Sequence, residues 1–326
     1  MPISVITTTY NCGEYISDAI RSILNQTYRD FEYLIIDDGS TDNTEEIINS
    51  IDDKRIKYYK IEHIGRSRSL NFALQKAGYD LIALMDADDI SHPLRLEKQL
   101  EVYKGSNQLV FCDTAYFINE KIKYLIISEP QSDYINKLIL HGHFNNSSSL
   151  FNRLYILNYG GYNEDLLAYE DYDLWLRIMK DSEFIVASGI YHYVRLRNDS
   201  MTTTNPGKLK YILYSIQEYY FKNLTDYGIR NPNDKLALKG WREFFYGELE
   251  LCREYWDELK LSDRSIKIHI AYVMSYLPSI IVKWFKNKRI FLRLKYIFYY
   301  LKSFRSTQLE FYRVLNKIAS KEPPYC

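Results

Sequence analysis

The sequence predicts an α/β fold: a mostly parallel central sheet flanked by helices, followed by a C-terminal helical region. Three observations carry this. Apolar, β-branched runs at 3–9, 31–36 and 81–85 alternate with segments of helical periodicity, at the spacing of strand-helix-strand units. Two of these runs end in carboxylates (Asp37-Asp38 and Asp86-Ala87-Asp88-Asp89), and the first ends in hydroxyls and Tyr10. Past the punctuation at Thr202-Thr203-Thr204-Asn205-Pro206-Gly207 the pattern turns helical, which divides the chain into 1–205 and 206–326.

Ile3-Ser4-Val5-Ile6-Thr7-Thr8-Thr9 reads as the first strand, broken by Tyr10-Asn11-Cys12-Gly13. A helix follows from about Ser17 to Gln26, with Ile16, Ala19, Ile20, Ile23 and Leu24 on one face. The run from Phe31 to Ile36 is the second strand. Thr41 or Asp42 caps a helix from Thr44 to Ser50 by accepting from its free amides. A short third strand covers 56–60, and His63-Ile64-Gly65-Arg66 turns into a helix through Ala77. Leu81-Ile82-Ala83-Leu84-Met85 then runs straight into three carboxylates, which reads as a strand buried on both faces of a parallel sheet. Residues 109–115 and 124–128 read as strands and 134–140 as a helix. Leu174 with Ile178, and Trp175 with Met179, show helical spacing, so Glu170-Asp171 stands at a helix N-terminus. Residues 208–224 are helical by pattern, and Asn231-Pro232-Asn233-Asp234 opens another helix.

Composition narrows the function classes. Lys and Arg total 42, as do Asp and Glu, so net charge points to no nucleic-acid partner. Cys12, Cys112, Cys252 and Cys326 are far apart with no Cys-x-x-Cys pair, which indicates neither a zinc site nor a disulfide framework. The first residues lack the basic and long apolar regions of a signal peptide, so a cytoplasmic protein is expected.

Asp86 and Asp88, one residue apart at a strand exit, can both reach one hard divalent cation, which takes oxygen ligands and keeps positions for substrate phosphates. Three acids this close repel one another unless a cation or donors neutralise them. A solvated acidic turn is the bland alternative, and the buried strand before it argues against that. All three strand exits fall on one sheet edge, where open α/β sheets bind ligands. No Gly-x-Gly-x-x-Gly follows the first strand and no Gly-x-x-x-x-Gly-Lys-[Ser/Thr] occurs, so dinucleotide and P-loop sites are disfavoured. His141-Gly142-His143, with no third ligand nearby, reads as a turn rather than a metal site. At the helix N-terminus, Glu170-Asp171 meets free amides that favour an ionised carboxylate.

Val5 to Asn11, Ser22-Ile23-Leu24-Asn25-Gln26-Thr27-Tyr28, Ile36-Asp37-Asp38-Gly39-Ser40-Thr41-Asp42 and Met85 to Pro93 through Glu97 together resemble family 2 glycosyltransferases over roughly 1–205. The resemblance implies the GT-A (Rossmann-like) fold and an inverting transfer from a nucleotide sugar. It implies that Thr8, Tyr10 and Asp38 contact the nucleoside. Asp86 would touch the ribose or metal, and Asp88 would ligate the Mn²⁺ or Mg²⁺ bridging the diphosphate. Gly65, Arg66 and Asn71 fall on the donor side, although Leu70 stands where relatives often have Arg. Residues 145–151 look like the strand carrying acceptor-side contacts. Gly161, Tyr162 and Glu170 join that acceptor set, and Asp171 is the implied general base. Arg197 stands where relatives usually carry the His of an Arg-x-His-x-x-Ser run, and a guanidinium cannot ligate a cation.

The resemblance does not cover the tail. Residues 268–282 contain no Asp, Glu, Lys or Arg, and 283–305 interleave eight cations with aromatics. This pattern admits an ordinary helical domain with a basic face, or a segment lying on an anionic membrane surface. The sequence thus points to a metal-dependent inverting glycosyltransferase of hexosyl or N-acetylhexosaminyl type. A UDP-sugar is favoured as donor and a saccharide or lipid-linked saccharide as acceptor, in bacterial surface polysaccharide synthesis, in the cytoplasm or on the inner face of the membrane. A second copy of the chain is a further partner it admits. The alternatives are a catalytically silent nucleotide-sugar-binding or scaffold protein of the same fold, and a nucleotidyltransferase.

Overall fold

The structure, a computed structural model, describes residues 1–126, 138–140, 144–197, 206–277 and 297–319. Contacts divide the chain into two units, Met1–Tyr134 with Gly142–Thr204 and Ser303–Cys326, and Ile135–His141 with Asn205–Lys302.

In the first unit β1 (Ile3–Thr9), α1 (Ile16–Leu24), β2 (Phe31–Asp37), α2 (Thr44–Asn49), β3 (Ile56–Lys60), α3 (Arg66–Lys76) and β4 (Leu81–Leu84) alternate as the hydrophobic periodicity predicts. They lead to β5 (Ile90–Ser91), α4 (Arg95–Val102), β6 (Gln108–Ile118), β7 (Lys121–Ile126), β8 (Leu150–Asn152), α5 (Arg153–Asn158), α6 (Glu170–Ile178) and β9 (Glu183–Arg195). The sheet order is β3-β2-β1-β4-β8-β6-β9-β5, with β7 beside β6. The first four strands are parallel, but β8 pairs antiparallel with both β4 and β6. Thus β4 is fully buried as expected, yet only one of its neighbours is parallel. Residues 145–149 are a turn and a short 3-10 segment rather than extended strand, because Asn145 Oδ1 accepts from Ser147 N.

The core of this unit is the face shared by the first strands and α1, with Ile16, Ala19, Ile20 and Ile23 fully buried against Val5, Tyr33 and Ala83. Gln26 connects the layers. Its Nε2 donates to Ser22 O, Ser91 Oγ and His92 O, and its Oε1 accepts from Leu96 N. From Ser303 the last helix lies on the β6 and β9 side. Fully buried Phe311 packs 4.7 Å from Phe117 and 4.6 Å from Tyr193, and Gln308 bonds the backbone of Glu120 and Ile122.

In the second unit, α7 (Pro206–Lys222) and α8 (Pro232–Tyr246) fall where the sequence pattern puts helices, with Asn231 capping α8 through Asn233 N, and α9 (Leu249–Asp257) and α10 (Ile266–Met274) follow. α11 (Ile297–Ala319) begins in this unit and ends in the first. Phe244, Cys252 and Trp256 form the second core, and a Cβ at Gly240 would sit 2.1 Å from the Trp256 ring nitrogen. Buried Arg242 lies 3.8 Å over Tyr214 and 2.6 Å from Glu218. Among the described residues no helix is long and apolar enough to cross a membrane. His141 and His143, residues 198–205, and most of the basic stretch (283–295) lie outside the described residues.

Candidate active site

β1 sits in register with both neighbours, Ile3 opposite Phe31 and Leu81, so the three carboxyl ends emerge at one edge. Met85 N donates to Ile6 O, which carries the ladder one residue past β4 before the acids begin. Parallel pairing alone therefore gathers Tyr10, Asp38 and Asp86.

At the β2 exit, Asp37 accepts from Ser40 N and Tyr58 OH, which shapes the turn. Asp38 reaches instead across to the segment after β3. Its Oδ1 accepts from Ile64 N at 2.8 Å and its Oδ2 from Gly65 N at 3.0 Å, with His63 Nδ1 at 2.9 Å. His63 in turn stacks on half-exposed Tyr10, ring centroids 4.1 Å apart. Asp38, Tyr10 and Gly65 thus form one wall, with Gly65 at φ +90° leading into α3. Thr8 lies one residue before the end of β1, beside buried Thr9.

The β4 exit collects charge. One oxygen each from Asp86, Asp88 and Asp89 lie within 4.8 Å of one another. Buried Asp89 accepts from Ser147 Oγ at 3.0 Å and Arg195 N at 3.0 Å, and lies 2.9 Å from His192 Nε2. Burial, then the charge of Asp86, pushes it up to about 8. Burial, then Arg95, holds His192 well below the usual imidazole range, so it is uncharged. Burial pushes Asp88 up to about 7, helped by Asp89 and Asp86 and opposed by Arg197, whose Nε lies 3.2 Å from Asp88 Oδ2. Beneath the acids, fully buried Arg95 donates to Leu84 O and Gln99 Oε1, bracing the strand end.

Arg66 joins this exit to the Glu170-Asp171 pair. Its Nη2 is 2.6 Å from Asp86 Oδ1 and its Nε 2.7 Å from Glu170 Oε1. Burial works against its charge, but Asp86 and Glu170 overcome that and hold it firmly protonated. Asp171 is the second residue of α6 and accepts from Tyr172 N at 2.8 Å. Tyr169, just before α6, is left-handed at φ +62°, a conformation that costs a non-glycine residue about 1–2 kcal/mol and clusters at functional sites. Burial and the adjacent Glu170 push Asp171 up to about 7, against the Tyr172 amide and Arg66.

Asn71 acts on the other side of α3. Its amide donates to Tyr162 O and accepts from Tyr162 N, both at 2.9 Å, and also meets Glu164. Gly161 permits this: at φ +68°, a Cβ there would lie 2.6 Å from Asn71 Oδ1. Tyr162 is buried, with its hydroxyl 3.2 Å from Asn146 Oδ1, and burial followed by Asp171 and Glu170 raises it well above the usual phenol range. The expected residues therefore fall into a wall at the β1 and β2 exits (Tyr10, Asp38, Gly65), an acidic strand exit (Asp86, Asp88) and a helix end (Glu170, Asp171), with Arg66 between the last two. Asn71, Gly161 and Tyr162 are a hydrogen-bonded brace beside them. Sequence reasoning missed the Asp89–His192–Ser147 network and Arg95. Their signals were faint: a third acid after Asp-x-Asp, and single polar residues in apolar runs.

The donor set suits a hard divalent cation on Asp86 and Asp88. Both carboxylates pair only with guanidiniums among their described ion-pair partners. Asp89, held by Ser147, Arg195 and His192, belongs to the support.

The chain is similar to known proteins. The profile described as Glycosyl transferase family 2 matches residues 4–151. The chain is 35% identical over 232 residues to the O-antigen biosynthesis glycosyltransferase WbnJ of Escherichia coli, covering 68% of this chain and 89% of that one. It is 32% identical over 254 residues to the uncharacterized glycosyltransferase MJ1057 of Methanocaldococcus jannaschii, covering 75% and 85%. Two solved structures share the fold at 16% identity, each with a TM-score of 0.56. They are S. aureus TarS 1–349 in complex with UDP-GlcNAc (88% of this chain, 92% of that one) and the mannosyltransferase PcManGT from Pyrobaculum calidifontis with GDP-Man and Mn²⁺ (98% and 88%). The curled α/β sheet is of the GT-A type, and the chain belongs to glycosyl transferase family 2.

Proposed function

We propose that the protein is a metal-dependent, inverting glycosyltransferase. It moves a hexosyl or N-acetylhexosaminyl group from a nucleoside diphosphate sugar, with UDP favoured, to a saccharide or lipid-linked saccharide. The observation that carries this is the Asp86–Arg66–Glu170 ion-pair bridge, which ties the cation-type acids to the helix end bearing Asp171. Tyr10 and Asp38 bind the nucleoside, and Asp86 and Asp88 hold Mn²⁺ or Mg²⁺. The ion, when bound, stabilises negative charge on the leaving diphosphate. Asp171 accepts the proton of the acceptor hydroxyl while that oxygen bonds to the anomeric carbon and the bond to the diphosphate breaks. Gly161, Tyr162 and Glu170 shape the acceptor side. Single displacement inverts the anomeric centre.

The O-antigen enzyme among its relatives supports surface polysaccharide synthesis as the setting. The basic, aromatic tail supports attachment to the inner face of the membrane. The test offers panels of UDP- and GDP-sugars with Mn²⁺ and oligosaccharide or lipid-linked acceptors. We expect release of nucleoside diphosphate and a product of inverted anomeric configuration by NMR. Release of pyrophosphate, or retained configuration, sinks the reading.

A further inference from the structure

Arg197 occupies a place that the transfer reaction as described does not use. Its side chain is 18% exposed, its Nε lies 3.2 Å from Asp88 Oδ2, and its Nη1 is 3.8 Å from Cys12 Sγ. The guanidinium stands 5.0 Å from the Tyr15 ring, whose neighbourhood it shares with Arg195 at 4.9 Å. Arg195 is built into the frame: its backbone amide donates to Asp89, its Nε to Asp88 O, and its Nη2 to Asp18. Arg197 meets the Asp88 carboxylate itself, the group that would bind a cation.

A guanidinium carries five N–H donors and no lone pair, so it cannot share in ligating an ion, but its planar fork matches phosphate oxygens. A divalent cation and Arg197 on the same carboxylate would repel each other by several kcal/mol in a partly buried site, on the order of the Coulomb energy at an intermediate dielectric. The two therefore compete for Asp88. A diphosphate held by that cation brings negative charge to the place from which Arg197 has been displaced. We propose that Arg197 is the resident counter-ion of Asp88, displaced by the arriving divalent cation and then pairing with the donor's diphosphate. It both weakens cation binding to the free protein and strengthens donor binding to the cation-loaded one. The proposal rests on the reading of Asp88 as a cation ligand.

The experiment uses the full chain and two binding measurements. Free Mn²⁺ is followed by its EPR signal without nucleotide, and UDP and GDP are titrated by calorimetry at saturating Mn²⁺. Arg197→Gln should bind Mn²⁺ about tenfold more tightly and the nucleotide about tenfold more weakly. Lys98→Gln, which removes an equal charge paired with Glu101 on α4, should change neither. Opposite signs cannot come from misfolding, which weakens both, and Arg197→Lys, keeping the charge, should return Mn²⁺ binding towards wild type. Unchanged or weaker Mn²⁺ binding in Arg197→Gln, or unchanged nucleotide binding, overturns the proposal while leaving the Asp88 site standing. If Asp88→Asn does not reduce wild-type Mn²⁺ binding, or neither nucleotide binds, the cation-site reading falls and takes the proposal with it.

Discussion

At the scale of single residues the proposed base, Asp171, is the group whose protonation can be tested most directly. Burial and Glu170 hold its carboxyl up to about 7, a proton affinity matched to taking a hydroxyl proton near neutral pH. A base must be ionised to act, so kcat/KM should be level above pH 7 and fall about tenfold per unit below it. Glu170→Gln removes the neighbouring negative charge and should move that limb to lower pH. An acid limb that stays in place would point to a different base. Asp171→Asn keeps the size of the side chain but cannot accept the proton. Turnover should drop about 10²- to 10⁴-fold with nucleotide affinity near wild type. Loss of nucleotide binding in step with turnover would make Asp171 a structural cap of α6. The value of the Asp171 proton affinity was invisible in the sequence, because it depends on burial and on Arg66 arriving from about a hundred residues earlier.

At the scale of elements, the end of α11 decides how the proposed membrane attachment can be tested. Phe311 is fully buried between Phe117 and Tyr193, and removing such a ring costs about 3–5 kcal/mol. Deleting the tail would strip this cover from β6 and β9, so loss of vesicle binding in a truncation would report damage to the sheet. Charge reversal avoids this. Lys283→Glu, Lys286→Glu and Lys288→Glu together should abolish salt-sensitive sedimentation with anionic vesicles and leave the thermal midpoint unchanged. Persistent binding would assign the cations to another partner. The same scale shows what was legible. β1 to β4 and α1 to α3 follow local periodicity, and parallel alternation alone placed three strand exits on one edge. The β8 insertion between β4 and β6, and the pairing of β9 with β6, are contacts across long separations that no local pattern encodes. The acids of the site were legible because several fall in one short run. The arginines that answer them were seen in the sequence only as neighbours or as departures from a motif, since their partners are set by the sheet.

At the scale of the whole molecule, the acidic exit weakens the fold that carries it. Asp88 is held up to about 7 in the folded protein and sits near 3.8 when unfolded. The folded state therefore prefers the protonated form, and its stability is lost as pH rises towards and through 7. Without a divalent cation, Asp88→Asn should stabilise the protein at pH 8 by about 1–2 kcal/mol, and by much less at pH 5. Mn²⁺ should raise the midpoint of the wild type but not of the variant. Equal midpoints at both pH values would mean that Asp88 is relaxed by other charges. The return of the last helix to the sheet also has a consequence for biosynthesis. β9 and β6 leave the ribosome with the Phe117 and Tyr193 face bare, and Ser303 follows roughly a hundred residues later. At about 5–20 residues per second that is on the order of ten seconds. During that interval the apolar face is open to chaperones, so a newly made sheet unit should be engaged by them until its final helix is translated.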